Sequence, residues 1–240
     1  MAFKFLTWLV RLARGAAEVC APVAHCCVCG APLTEAEMSV CRLCLDRLPA
    51  TSFETWPQNP VMTRMEGRAK LLSAFSCFYF HKGETLRRLI HQFKYKGDRN
   101  VARDLGREMG RRAAHAGFAD SYDALIPVPL HRRRLSERGY NQSHVLTLGI
   151  ADVTGLPVMT DVLIRSRATP TQTHLSADQR YLNVHGVFAL GKGAKRAAGL
   201  RLLLVDDVFT TGATCEACLE KLAEIEGASL GLATLGYAST

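Results

Sequence analysis

Apolar and polar positions first alternate clearly in "LLSAFSCFYFH" (71–81), which predicts a strand. The spacing then changes: Leu86, Leu89, Ile90 and Phe93 share one face of a helix over 83–97. A second amphipathic helix covers "NVARDLGREMGRRAAHAG" (100–117). "DALIPVP" (123–129) reads as a short buried strand stopped by Pro127 and Pro129, since proline has no N–H to give to a ladder. A basic loop, "LHRRRLSERGYNQ" (130–142), leads into the helix "SHVLTLGIADVTG" (143–155). A strand near 158–164 precedes the polar run "RSRATPTQTHLSADQRYLN" (165–183). The strand "RLLLVDD" (201–207), a helix opened by Gly212 and a last strand in "ASLGLATLGYA" (228–238) complete the pattern. Strands alternating with helices predict an α/β fold with a mostly parallel sheet. Ligands of such sheets sit beyond the carboxyl ends of strands. "IPVPLHRRR" and "VDDVFTTGAT" are both strand ends of that kind, and are expected to meet.

Before residue 65 the periodicity fades and turn formers take over, in "CCVCGAPLTEAEMSVCRLC" (26–44) and "LPATSFETWPQNP" (48–60). The expected organisation is an amphipathic helix over 1–19, a cysteine module with its linker over 20–60, and a main domain over 65–240. The opening "MAFKFLTWLVRLARG" has too short an apolar run, broken by Arg11 and Arg14, for a signal peptide. It is expected to dock on the body of the protein, with attachment to a membrane surface as the alternative. No transmembrane segment is expected, because no apolar run approaches the ~20 residues that span a bilayer.

Five of the nine cysteines lie between Cys26 and Cys44 in paired spacing. Cys26-x2-Cys29 and Cys41-x2-Cys44 are two thiolate hooks, each supplying two corners of a tetrahedron. A closed four-thiolate shell suits a structural Zn2+ and leaves no position for a reactive water. Cys27 is extra, and His25 is a substitute ligand awkwardly placed beside Cys26. The pattern favours a metal site in a reducing cytoplasm over disulfides. Cys215 and Cys218 fall on one face of a helix, where packing is the expected role.

Charge changes the picture in the middle of the chain. The formal net charge is +8, and residues 81–145 carry fourteen Lys/Arg against seven Asp/Glu. Such a surplus suggests a polyanionic ligand or partner. Arg87, Arg88, Lys94, Lys96, Arg111 and Arg112, interleaved with Phe93 and Tyr95, form a candidate track for single-stranded DNA. The plainer alternative is that Phe93 is core and the charges only solvate helix faces.

The most informative stretch is "LLLVDDVFTTGAT" (202–214). Four apolar residues without alternation suit a central parallel strand. Asp206 and Asp207 then emerge at its carboxyl end, and Thr210, Thr211, Gly212, Ala213 and Thr214 form a turn into a helix. Small residues let backbone N–H groups approach a phosphate, and the helix N-terminus favours its charge. The acids cannot bind that phosphate, so they face hydroxyls, a cation, or both. A sugar phosphate with free hydroxyls satisfies the set. A P-loop is excluded because Ala213 stands where its lysine belongs.

This stretch resembles the phosphoribosyl pyrophosphate (PRPP) motif of type I phosphoribosyltransferases. Together with the cysteine module, "FKYKGD" (93–98), "IPVPLHRRRLSERGYNQ" (126–142) and "RSRATPTQTHLSADQRYLNV" (165–184), it resembles the ComF family of bacterial competence proteins. The resemblance spans about residues 20–237 in order. It implies a Rossmann-like type I phosphoribosyltransferase domain, PRPP bound with Mg2+, and a link to DNA uptake with competence or recombination proteins as partners. On this reading Asp206 and Asp207 bind the ribose 2′ and 3′ hydroxyls, and the turn cradles the 5′-phosphate. Arg132, Arg133, Arg134 and Arg138, with Tyr140 beyond, are candidates to meet the pyrophosphate or nucleic acid, arginine being suited to bidentate phosphate contacts. The segment holding Arg165, Arg167, Thr169, Gln172, Arg180 and Asn183 is long enough for a lid. His131 and His144 are imaginable general bases with nothing beyond position to support them. Phosphoribosyl transfer to an unknown acceptor, non-catalytic single-stranded DNA binding, and PRPP sensing all remain open.

Overall fold

In a computed structural model, residues 23–80, 84–166 and 186–238 are described. The expected helix at 1–19 lies outside them, as do Arg167, Thr169, Gln172, Arg180 and Asn183 of the expected lid. The cysteine module folds around two turns and α1 (Arg42–Asp46), and α2 (Pro60–Met65) follows. Then come β1 (Ser73–Tyr79), α3 (Glu84–Tyr95), α4 (Arg99–His115) and β2 (Ala124–Pro127). After these run α5 (Arg132–Arg138), α6 (Gln142–Thr154), β3 (Leu163–Arg165) and β4 (Phe188–Leu190). The chain closes with β5 (Arg201–Phe209), α7 (Ala213–Leu222) and β6 (Ser229–Tyr237).

The main sheet is wholly parallel, in the order β1-β6-β5-β2. Its middle strands are apolar because they are covered on both faces: Leu202, Leu204, Val205, Leu232 and Ala233 are fully buried. The α/β class read from the pattern is therefore correct. Parallel pairing brings the ends of β1, β2, β5 and β6 to one edge of the sheet.

Two local expectations are corrected. The basic "loop" 130–142 contains the helix α5, because His131 Nδ1 caps the Arg133 N–H at 3.2 Å and Arg133 pairs with Glu137 one turn on. The strand near 158–164 is two pieces: Val158 makes a single parallel bridge to Leu125, and β3 pairs only with β4, antiparallel. The β4 partner is too short for its alternation to stand out in the sequence.

α4 and α6 pack so closely that a Cβ on Gly149 would lie 2.4 Å from the Arg103 carbonyl oxygen. One on Gly106 would lie 2.2 Å from that of Leu146. This contact sets α6 against β2 and β5 and aims its first turn at the acid pair. The cysteine module is not an appendage: Cys26, Val40, Cys41, Cys44 and Leu45 share one core with the sheet. Asp104 of α4, buried, accepts the backbone N–H groups of Met38, Ser39 and Val40 at 3.2, 2.7 and 2.9 Å. Glu108, one turn further, gathers Arg42, Arg111 and Arg112.

Candidate functional site

β5 does not end at its acids. It runs on to Phe209, so Asp206 and Asp207 lie inside the strand, and both are buried. The expectation that the acids emerge at the carboxyl end of the strand is corrected: β5 continues past them and the first turn of α6 covers them. Asn141 caps that helix by accepting the Ser143 N–H at 3.1 Å, and it donates to the Val128 carbonyl at 3.0 Å, tying the helix start to the end of β2. The next two residues then serve the acids. Ser143 Oγ donates to Asp206 Oδ1 at 2.9 Å, and Gln142 Nε2 donates to Asp207 Oδ2 at 3.1 Å. Lys94 of α3 adds an ammonium 2.8 Å from the same Asp207 oxygen. Burial, and then the Asp207 charge beside it, push Asp206 up to about 7.

The acids form the floor of a crevice of about 250 Å³ at the ends of β2 and β5. Lys94, Tyr95, Arg134, Arg138, Arg165, Thr210 and Thr214 line it. The predicted meeting of the two strand ends occurs here. Gly212 caps α7 in the left-handed region at φ +82°, which an L side chain resists. Its place is also crowded, since a Cβ there would meet Phe209, Arg68 and Met65 at 3.0–3.2 Å.

Of the α5 arginines, Arg134 and Arg138 reach the crevice, and Arg138 donates to Gln142 and lies 5.8 Å over the Tyr95 ring. Arg132 and Arg133 are exposed and do not line it; in a helix they project from the turn's outer side. Tyr140 is buried and donates its hydroxyl to the Phe93 carbonyl, so it holds α3 to the start of α6 and does not contact the crevice. His131 is a helix cap, and His144 is held below its ordinary value by burial and then by Arg103.

The basic middle does not form a single track. Phe93 is core, Lys94 points at Asp207, and Arg112 pairs with Glu54 and Glu108 while lying over Phe78. Arg111 pairs with Glu108. Arg87, Arg88, Lys96 and Tyr95 stay exposed, lining grooves that run into the crevice through Lys94 and Tyr95.

In the cysteine module, the sulfurs of Cys26, Cys29, Cys41 and Cys44 all lie within 4.8 Å of one another. Four thiolates around Zn2+ at about 2.3 Å stand roughly 3.8 Å apart, so the quartet fits a tetrahedral ion. Cys26 Sγ already accepts the Val28 and Cys41 N–H groups at 3.4 and 3.3 Å. Burial raises its pKa, but backbone donors from Cys41, Cys29 and Val28 outweigh that and bring it down to about 7. Cys27 stands outside the quartet, raised to about 11 by burial, and so does His25. Cys215 and Cys218 are buried in α7, their thiols raised by burial.

No family model matches the chain. Among curated proteins, the DNA utilization protein YhgH of Escherichia coli O157:H7 is 30% identical over 222 residues, covering 87% of this chain and 86% of that protein. The chain belongs to the ComF family. Competence protein F of Haemophilus influenzae is 36% identical over 138 residues, covering 56% of the chain. Competence protein ComFC of Bacillus subtilis is 26% identical over 189 residues, covering 79% of it. The chain spans 60% of the length of the Haemophilus protein and 67% of the Bacillus one. Among solved structures, the glutamine PRPP amidotransferase of Bacillus subtilis in complex with ADP and GMP is similar at a TM-score of 0.36, with 19% identity over 55% of the chain and 26% of that structure.

Within this ComF-family chain, sequence reasoning missed four residues that shape the crevice. The sequence reads Gln142 as the end of the basic loop and Ser143 as the first residue of a helix, whereas both belong to the first turn of α6. Arg64 and Arg68 come from a segment without periodicity, yet Arg64 Nη1 donates to the Thr210 carbonyl at 2.9 Å and Arg68 Nη1 to that of Thr211 at 2.8 Å. Among the described residues no helix is long and apolar enough to cross a membrane.

Proposed function

We propose that this ComF-family chain binds PRPP, or a related sugar phosphate, in the crevice at the ends of β2 and β5. One observation carries the reading: two carboxylates, Thr210 and Thr214 at the two ends of a glycine turn opening a helix, and Arg134 and Arg138 from another element line one crevice. Asp206 and Asp207 accept the ribose hydroxyls. Thr210, Thr211, Gly212, Ala213 and Thr214 take the 5′-phosphate, and Arg134 and Arg138 face the pyrophosphate. Mg2+, bound with the pyrophosphate, would neutralise part of its charge. In a transfer reaction the bond from C1′ to the pyrophosphate oxygen breaks, positive charge develops at C1′, and an acceptor bonds from the opposite face. The two arginines stabilise the departing anion, and no protein nucleophile is required. The cysteine quartet holds a structural Zn2+.

The names of the relatives support a role in handling DNA during uptake. A second reading, binding of single-stranded DNA without catalysis, is favoured by Tyr95, which is 69% exposed beside Arg87, Arg88 and Lys96. Pyrophosphate release from PRPP, measured with a panel of bases and amines, separates the two. Release with any acceptor supports transfer. PRPP binding without release leaves sensing, and DNA binding without either supports the second reading.

A further inference from the structure

The turn after β5 is held from behind by two arginines. We propose that Arg64 and Arg68 are positioning residues that point the Thr211 and Gly212 N–H groups into the crevice. The inference rests on the reading of that crevice as a sugar-phosphate site. A trans peptide is planar, with its C=O and N–H pointing in opposite directions, and the described residues contain no cis bond. Arg64 draws the Thr210 carbonyl to itself at 2.9 Å, which turns the Thr211 N–H the other way. Arg68 draws the Thr211 carbonyl at 2.8 Å, which turns the Gly212 N–H the other way. Neither arginine lines the crevice, whereas Thr210 and Thr214 do. Among the described residues no acceptor takes either N–H.

Both guanidiniums are themselves fixed. Arg64 lies 5.7 Å over the Tyr237 ring. Arg68 forks onto Glu216 of α7, a carboxylate with only 7% of its side chain exposed. The Arg68–Glu216 pair therefore ties the turn to the helix it opens. Gly212 completes the arrangement, because a side chain there would press on Arg68 as well as strain the backbone.

The test is amide NMR of the full chain titrated with ribose 5-phosphate. In the unmodified protein both the Thr211 and Gly212 amides shift downfield. In Arg64→Ala the Thr211 response is lost and the Gly212 response is kept. Arg68→Leu combined with Glu216→Leu reverses that outcome, and it removes the pair without stranding a buried charge. Each variant binds ribose 5-phosphate about tenfold more weakly, the loss of one hydrogen bond to a charged group. If the Arg68 double variant does not fold, Arg64→Ala decides alone. Binding within about twofold and unchanged amide responses in the variants would overturn the positioning role and leave the site reading intact. Silent Thr211 and Gly212 amides in the unmodified protein would overturn both.

Discussion

Lys94 Nζ sits 2.8 Å from Asp207 Oδ2, so an ammonium from α3 neutralises a carboxylate near the carboxyl end of β5. The pair joins the basic helix to the acid floor, and Lys94 borders the crevice and both neighbouring grooves. Lys94→Met keeps the stem and removes the charge. It is expected to cost about 1–3 kcal/mol of stability, less than a fully buried pair because Lys94 is partly exposed. It should also weaken PRPP binding about tenfold, since the acid floor then repels the phosphates. Urea melts and calorimetry check both effects, and unchanged PRPP affinity would remove Lys94 from the site.

Asp206 gives the crevice a pH signature. Its pKa rises on folding from an ordinary 3.8 to about 7, chiefly through burial. The folded chain therefore holds a proton that the unfolded chain releases, and stability falls as pH rises between those values. Asp206→Asn lacks this loss. Its stability relative to the unmodified protein should improve by about 1–3 kcal/mol between pH 4.5 and pH 8. A difference constant across that range, in denaturant melts, contradicts the assignment.

The cysteine quartet should carry one Zn2+ per chain. Cys41→Ala removes one corner and should abolish metal retention, as read by elemental analysis. The module shares its core with the sheet and is cradled by Asp104, so chelation should lower the melting temperature of the whole chain, not only of the module. Full metal content in Cys41→Ala would overturn the site.

Legibility followed physical range. Parallel strands buried on both faces write continuous apolar runs, and paired cysteines and a glycine turn are local in sequence, so the apolar run of β5, the cysteine quartet and the turn into α7 could be read directly. What could not be read depends on distant contact. Gln142 and Ser143 meet the acids only because Gly106 and Gly149 let α4 and α6 touch. Arg64 reaches a turn 146 residues away. Phe93 and Tyr95, two apart, end as core and surface, which helical spacing decides and charge interleaving obscures.

The exposed basic residues separate a DNA path from internal ion pairs. Arg87→Ala/Arg88→Ala/Lys96→Ala should weaken single-strand binding several-fold and reduce its salt dependence. Arg112→Ala should instead destabilise the fold, because Glu54 and Glu108 lose a partner. Tyr95→Ala should lower affinity by a further ~1–3 kcal/mol if it stacks on a base. Fluorescence anisotropy at several salt concentrations checks each. No binding at low salt would leave the groove without a nucleic-acid role.

The buried acid pair is proposed to recognise a phosphoribosyl ligand. Calorimetry of PRPP with Mg2+ against the unmodified chain and Asp206→Asn/Asp207→Asn tests it most directly. Amides are poorer acceptors than carboxylates for sugar hydroxyls, and Gln142, Ser143 and Lys94 would lose their charged partners. Saturable binding to the unmodified chain and at least a tenfold loss in the double variant are expected. Equal affinity in the two, or no binding to the unmodified chain, would contradict that recognition.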